Sequence, residues 1–144
     1  MIYVDTSCLL KVFRPEDLSE AVWNAIHKED TVVVSTLTEL ETLVQLKAAW
    51  AGGAFTRAQW RHAEARFSVL RNQPPFEFRG LSSALFRTAL RQHRNSGDIH
   101  CRTLDRLHLA AMEELGVSRL MTHDEGQEDA ARGAGFEVVC PYPR

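Results

Sequence analysis

The sequence contains few cysteines and no long apolar run. Cys8, Cys101 and Cys140 are the only cysteines among 144 residues, and their spacing fits no metal or redox motif. We therefore expect reduced thiols and a cytoplasmic location. No apolar stretch approaches membrane-spanning length. A charge at Asp5 and the absence of a basic first segment argue against a signal peptide.

The composition is typical of one soluble globular domain, which we assign to residues 1–144. Hydrophobic residues make up 44% of the chain and charged residues 25%. The net charge of −2 conceals an uneven distribution, because residues 57–106 carry ten arginines against four acidic residues. Such a block is usually a solvated helical surface. An anion-binding surface is the alternative, since the arginine side chain matches phosphate geometry.

Strand and helix patterns alternate along the chain. Helical spacing of apolar residues predicts helices at 19–30, 36–53, 56–72, 82–94, 103–116 and 125–135. Short apolar runs predict strands at 2–4, 31–35, 76–78, 118–122 and 136–140. This alternation predicts a parallel sheet covered by helices on both faces. Functional sites in such sheets lie outside the carboxyl ends of the strands.

Three aspartates occupy positions that invite a functional interpretation. Asp5 directly follows the first predicted strand, and Asp124 follows the strand at 118–122. Asp105 lies on the mostly apolar face of its predicted helix. Each also has a simple structural explanation, as a cap, a turn residue or a charge that complements a helix dipole.

A fourth acid belongs to the helix after the second strand, where two glutamates compete for the role. Thr36 and Glu39 fit a capping box, which gives Glu39 a structural purpose. Glu41 borders the apolar stripe of the helix and has no such purpose. Periodicity alone does not choose between them, and the capping argument favours Glu41.

Carboxylates gathered at one sheet edge repel one another and raise their own pKa values. A divalent cation removes this conflict, and a set of hard oxygen ligands suits Mg²⁺ or Mn²⁺. The four acids together therefore predict a metal site, although each acid alone is weak support.

Four segments resemble, in order, the signature segments of PIN-domain ribonucleases, and specifically of VapC-type toxins from bacterial toxin–antitoxin pairs. They are "YVDTS", "VVVSTLTELE", "LDRLHLAA" and "LMTHDEGQEDAARGAGFEVV". The resemblance implies a three-layer α/β/α fold with a central, mostly parallel sheet. It also implies a metal-dependent endoribonuclease, a small cognate antitoxin and a homodimer. The metal ligands and catalytic residues would be Asp5, Glu41, Asp105 and Asp124, holding one or two Mg²⁺ or Mn²⁺ ions.

The chemistry implied is hydrolysis of an RNA phosphodiester bond by a metal-activated water, with the 3′-oxygen as leaving group. We expect the hydroxyls of Thr6 and Thr122 to orient the carboxylates or a bound water. His108 is expected to be a packed or surface residue, not a partner of the acids. Three arginines on one predicted helix face are candidates for RNA binding, with a solvated surface as the alternative: Arg87, Arg91 and Arg94.

Other functions remain as alternatives at this point. A phosphohydrolase of the haloacid dehalogenase type needs a second aspartate at the position that Ser7 occupies here. A receiver-type domain needs a lysine near the last strand, and no lysine follows Lys47. Both alternatives are therefore disfavoured. A catalytically inactive PIN-fold module that binds RNA or protein is the main remaining alternative. Two arginines, Arg102 and Arg106, depart from the family pattern beside Asp105, either as substrate contacts or as exposed residues.

Overall fold

The computed structural model describes residues 1–14 and 18–142. Its strands form one five-stranded sheet in the spatial order β3-β2-β1-β4-β5, and every neighbouring pair is parallel. The predicted parallel sheet is therefore confirmed, and all carboxyl ends meet at one edge. The strands are β1 (Ile2–Val4), β2 (Val32–Ser35), β3 (Phe76–Arg79), β4 (Arg119–Met121) and β5 (Glu137–Val139).

Helices connect the strands and cover the sheet. They are α1 (Thr6–Phe13), α2 (Ser19–Ile26), α3 (Thr36–Ala51), α4 (Arg57–Leu70), α5 (Leu85–Arg94), α6 (Thr103–Leu115) and α7 (Glu125–Gly133). The sequence pattern predicts no helix over the residues of α1, because eight residues give little more than two turns of periodicity. Within the described ranges, no helix has the length and apolar character needed to cross a membrane.

The alternation of side chains along β1 separates two cores. Ile2 and Val4 pack in a cluster with apolar residues of α1, α2, α3 and α4 on one face of the sheet. Tyr3 points to the opposite face, where residues of α5, α6 and α7 surround it. All three residues are 0% exposed. Helices on both faces of one sheet make the three-layer α/β/α architecture, which confirms the expected fold class.

The start of α3 differs from the prediction. Ser35, the last residue of β2, is the N-cap, and its hydroxyl accepts a hydrogen bond from the Thr38 amide at 3.2 Å. The predicted capping box of Thr36 and Glu39 is therefore wrong, because the strand runs directly into the helix and shifts the cap by one residue. Glu39 instead forms an ion pair with Arg71, the C-cap of α4.

Candidate active site

Asp5 lies at the carboxyl end of the central strand and caps α1. Its Oδ1 accepts hydrogen bonds from the Ser7 hydroxyl at 2.7 Å and the Cys8 amide at 3.2 Å. Its Oδ2 accepts one from the Thr122 hydroxyl. The residue is only 5% exposed, and burial raises the pKa of its carboxyl above the ordinary value, against the effect of these donors. Asp5 is thus a buried carboxylate held by neutral donors.

Asp124 follows the adjacent strand β4 and is joined to Asp5 through one hydroxyl. The Thr122 oxygen that donates to Asp5 accepts the Asp124 amide at 3.1 Å. Asp124 is the N-cap of α7, with its Oδ1 accepting the Gln127 amide at 2.8 Å. The buried Gln127 side chain donates to the Asp105 carbonyl at 3.2 Å, which ties α7 to the first turn of α6.

Glu41 stands at the end of a buried hydrogen-bond chain. Its Oε1 accepts from the Thr6 hydroxyl at 3.1 Å and pairs with His108 Nε2. The other ring nitrogen, Nδ1, lies 2.7 Å from the Tyr3 hydroxyl, which lies 2.6 Å from the Ser35 hydroxyl. The expectation that His108 does not partner an acid is therefore wrong. Helical spacing placed His108 three residues after Asp105, but its partner comes from α3, which no spacing within α6 reveals.

The proton positions in this chain follow from what each group can do. Burial would raise the pKa of Glu41, but the hydrogen bond and charge of His108, together with Thr6 and Arg102, lower it below the ordinary value. An ionised carboxylate only accepts, so His108 Nε2 must carry a hydrogen. When the ring is neutral, Nδ1 accepts from the Tyr3 hydroxyl, which in turn accepts from Ser35. A protonated ring donates from both nitrogens, and the charge of that form is the one that lowers the pKa of Glu41. Burial raises the pKa of Tyr3 above its usual range, so the phenol keeps its proton.

Arg102 bridges the remaining pair of predicted acids, Asp105 and Asp124. Its Nε donates to Asp105 Oδ2 at 2.8 Å, and its Nη2 donates to Asp124 Oδ2 at 3.2 Å. The guanidinium also lies close enough to Glu41 to lower the pKa of that carboxyl. The Arg102 side chain is 68% exposed, so solvent reaches this cation freely. Three of the four predicted acids therefore share a single positive neighbour.

The four predicted ligands have the chemistry that a hard divalent cation requires, but their side chains lie too far apart to hold one ion together. All four predicted ligands are carboxylates, and a cation already lies between Asp105 and Asp124. Over residues 1–14 and 18–142, however, no three acidic, histidine or cysteine side chains lie close enough to hold one ion. The guanidinium of Arg102 marks the place where positive charge is needed, and an entering ion would have to replace it.

The three α5 arginines all lie on the exposed surface. Arg91 forms an ion pair with Glu113 of α6. Arg87 and Arg94 form no ion pair with any residue that the structure describes. Their proposed contact with RNA stays a prediction.

Comparison with known proteins gives a consistent result. The family model described as PIN domain matches residues 2–133. Ribonuclease VapC46 of Mycobacterium tuberculosis is 30% identical over 142 residues, which cover 97% of each chain. Among solved structures, VapC20 of M. tuberculosis, described as a Sarcin-Ricin loop cleaving toxin, superposes with a TM-score of 0.70 at 17% identity, covering 94% of this chain and 96% of that one. VapBC2 from Rickettsia felis, bound to a DNA fragment from its promoter, gives 0.68 at 12% identity, covering 96% and 98%.

Proposed function

The chain belongs to the PIN domain family, and we propose that it is a metal-dependent endoribonuclease, the toxin of a toxin–antitoxin pair. The name of its relative VapC46, a ribonuclease similar over nearly the full length, supports the reaction class. The observation that carries the proposal is the set of four carboxylates at the carboxyl edge of the sheet, with Arg102 between two of them. An inactive binding module would have no need for four carboxylates brought to one edge of the sheet.

The metal would be held by Asp5, Glu41, Asp105 and Asp124. A bound Mg²⁺ or Mn²⁺ supplies an activated water and offsets the charge that develops on the phosphoryl oxygens. The protein's part is orientation. Thr122 and Ser7 fix both oxygens of Asp5, while His108 and Thr6 fix one oxygen of Glu41.

Arg102 has a separate part in this proposal. It pairs with both Asp105 and Asp124, and it must leave at least one of them before both can bind an ion. Since its side chain is largely exposed, its departure requires no change in the cores. Once displaced, the guanidinium remains at the mouth of the site, where it is suited to contact the phosphate of an RNA strand.

The proposed partners follow the family. The likeness to VapBC2 supports a small antitoxin as the partner of this chain. A homodimer is the assembly that the resemblance to VapC-type toxins implies. RNA is the proposed substrate, with the exposed α5 arginines as a candidate contact surface.

The test is cleavage of a labelled RNA with Mg²⁺ or Mn²⁺ and with a chelator. We expect cleavage only with the metal, and none from Glu41→Gln. Glu39→Gln is the matched control, because Glu39 lies two residues away and pairs with the exposed Arg71. It should remain active.

Three results would count against the proposal. Cleavage that persists in the chelator would exclude the metal mechanism. An inactive Glu39→Gln beside an active Glu41→Gln would show that the second acid has been assigned to the wrong residue. A protein that binds RNA but cleaves none with either metal would favour the inactive module instead.

A further inference from the structure

Arg106 is a buried cation that has no carboxylate partner. The residue is 6% exposed. Its Nη1 makes one long hydrogen bond, 3.4 Å to the side-chain oxygen of Gln92, and its Nε is buried without any hydrogen-bond partner. In the part of the chain that the structure describes, no acidic side chain lies within ion-pair distance of it. An isolated buried charge is unfavourable unless an anion or further acceptors compensate for it.

A cavity of about 440 Å³ opens beside this side chain, between α5, α6 and α7. That volume is within the range of small-ligand sites. Its polar wall combines Arg106 with Arg91, Gln92, Asn95 and Ser96. Its other wall is mostly apolar and includes Ile99, Ala130 and Phe136.

The charges of the cavity are unbalanced. Glu113 is the one acidic side chain in its lining, and both of its carboxylate oxygens are engaged, by Arg91 and by the Gln92 amide at 2.7 Å. Arg106 is therefore left as an uncompensated positive charge at the wall. An arginine fork beside amide and hydroxyl groups is the arrangement that suits a phosphate oxygen.

We propose that this cavity is a phosphate-binding site in which Arg106 is the principal contact. The apolar wall is suited to the sugar and base of a nucleotide that carries the phosphate. Two sources offer this chemistry, a free nucleotide or one nucleotide of an RNA strand.

Three probes distinguish these sources: inorganic phosphate, adenosine 5′-monophosphate and a short single-stranded RNA, each titrated calorimetrically with a chelator present to prevent cleavage. The variants are Arg106→Met, which keeps the apolar stem, and Arg106→Lys, which keeps the charge. Arg132→Met is the matched control, because Arg132 is 55% exposed and pairs with Glu128 on the outer side of α7. Melting temperatures without ligand are measured for all four proteins.

We expect saturable binding of at least one probe to the wild type and to Arg132→Met, with loss of at least tenfold in affinity in Arg106→Met and a smaller loss in Arg106→Lys. Without ligand, Arg106→Met should melt at a higher temperature than the wild type, since its uncompensated buried charge is gone. Arg106-dependent binding of RNA alone would assign the phosphate to a strand, and binding of the monophosphate would assign it to a free nucleotide. No binding by any probe, or equal affinities in wild type and Arg106→Met, would overturn the proposal. If Arg106→Met does not fold, equal affinities of wild type and Arg106→Lys for every probe would overturn the proposal.

Discussion

Replacing Tyr3 with phenylalanine removes one oxygen atom from the centre of the buried chain that leads to Glu41. The ring is 0% exposed and keeps its packing. The lost hydroxyl lies 2.6 Å from Ser35 Oγ and 2.7 Å from His108 Nδ1, and it also accepts from Thr38 at 3.3 Å. Ser35 and Thr38 retain each other at 3.3 Å, but His108 Nδ1 has no other partner in the described residues.

The expected cost follows from that unsatisfied nitrogen. A buried polar group without its hydrogen bond costs about 1–3 kcal/mol. For a chain of 144 residues, about 1 kcal/mol corresponds to about 3 °C in Tm. Tyr3→Phe should therefore lower Tm by about 3–9 °C.

Activity should fall as well, because Tyr3 fixes the tautomer and orientation of His108, and His108 orients Glu41. Loss of the direct partner of a metal ligand typically reduces metal affinity or activity about 10- to 100-fold. Tyr3 lies one contact further out, behind His108, so the loss for Tyr3→Phe should be at most about tenfold. The assay is RNA cleavage at a temperature well below the Tm of the variant, so that loss of fold does not account for loss of rate.

Thr42→Val is the matched control. Thr42 follows Glu41, is 0% exposed, and its hydroxyl makes no hydrogen bond within the described structure. Removing that hydroxyl should leave Tm unchanged or raise it, and activity should persist. If Tyr3→Phe is as stable and as active as Thr42→Val, the buried chain does not orient Glu41 and the reasoning fails.

Three further predictions concern charge. Burial raises the pKa of Asp5 above 3.8 in the folded protein, so the native state binds more protons than the unfolded state and loses stability as pH rises from 3.8 towards neutrality. Metal-free Asp5→Asn should lack this loss, so its stability relative to wild type should increase over that range, as measured by denaturant titration. A relative stability that does not change with pH would contradict it. Arg102→Gln should bind Mn²⁺ several-fold more tightly than wild type or Arg132→Gln in calorimetry, because the competing cation is gone, and equal affinities would refute that. Changing Arg87, Arg91 and Arg94 together to glutamine should make RNA binding less dependent on salt concentration. An unchanged dependence would mean that these arginines only form a solvated surface.

The sheet and its site edge could be predicted because they depend on local patterns. Apolar runs such as residues 31–35 are short and well separated, and right-handed parallel connections leave few arrangements for them. The carboxyl edge then follows without further information, which is why Asp5 and Asp124 could be placed together from sequence. Both aspartates also cap helices in the structure, so the structural and functional explanations apply to the same residues.

The partners of the acids could not be predicted in the same way, because they come from distant parts of the chain. His108 meets Glu41 across 67 positions, and Tyr3 meets His108 across 105. Helix periodicity places His108 on a face of α6 but says nothing about which side chain lies opposite. The capping box failed for a related reason, since a strand residue took the cap that the helix pattern assigned to Thr36.

The contacts divide the site into a fixed half and an exchangeable half. Asp5 and Glu41 are held by buried or partly buried groups of β1, α1, α6 and the end of β4, and moving them would break hydrogen bonds within the cores. Asp105 and Asp124 share one exposed arginine, which water and salt can replace at little cost. A cation that enters would therefore meet two carboxylates held by hydrogen bonds and two that must first exchange Arg102 and move closer to bind it. On this reasoning, variants that affect the fixed half should reduce both stability and cleavage, whereas variants of Arg102 should change metal affinity while leaving the cores intact.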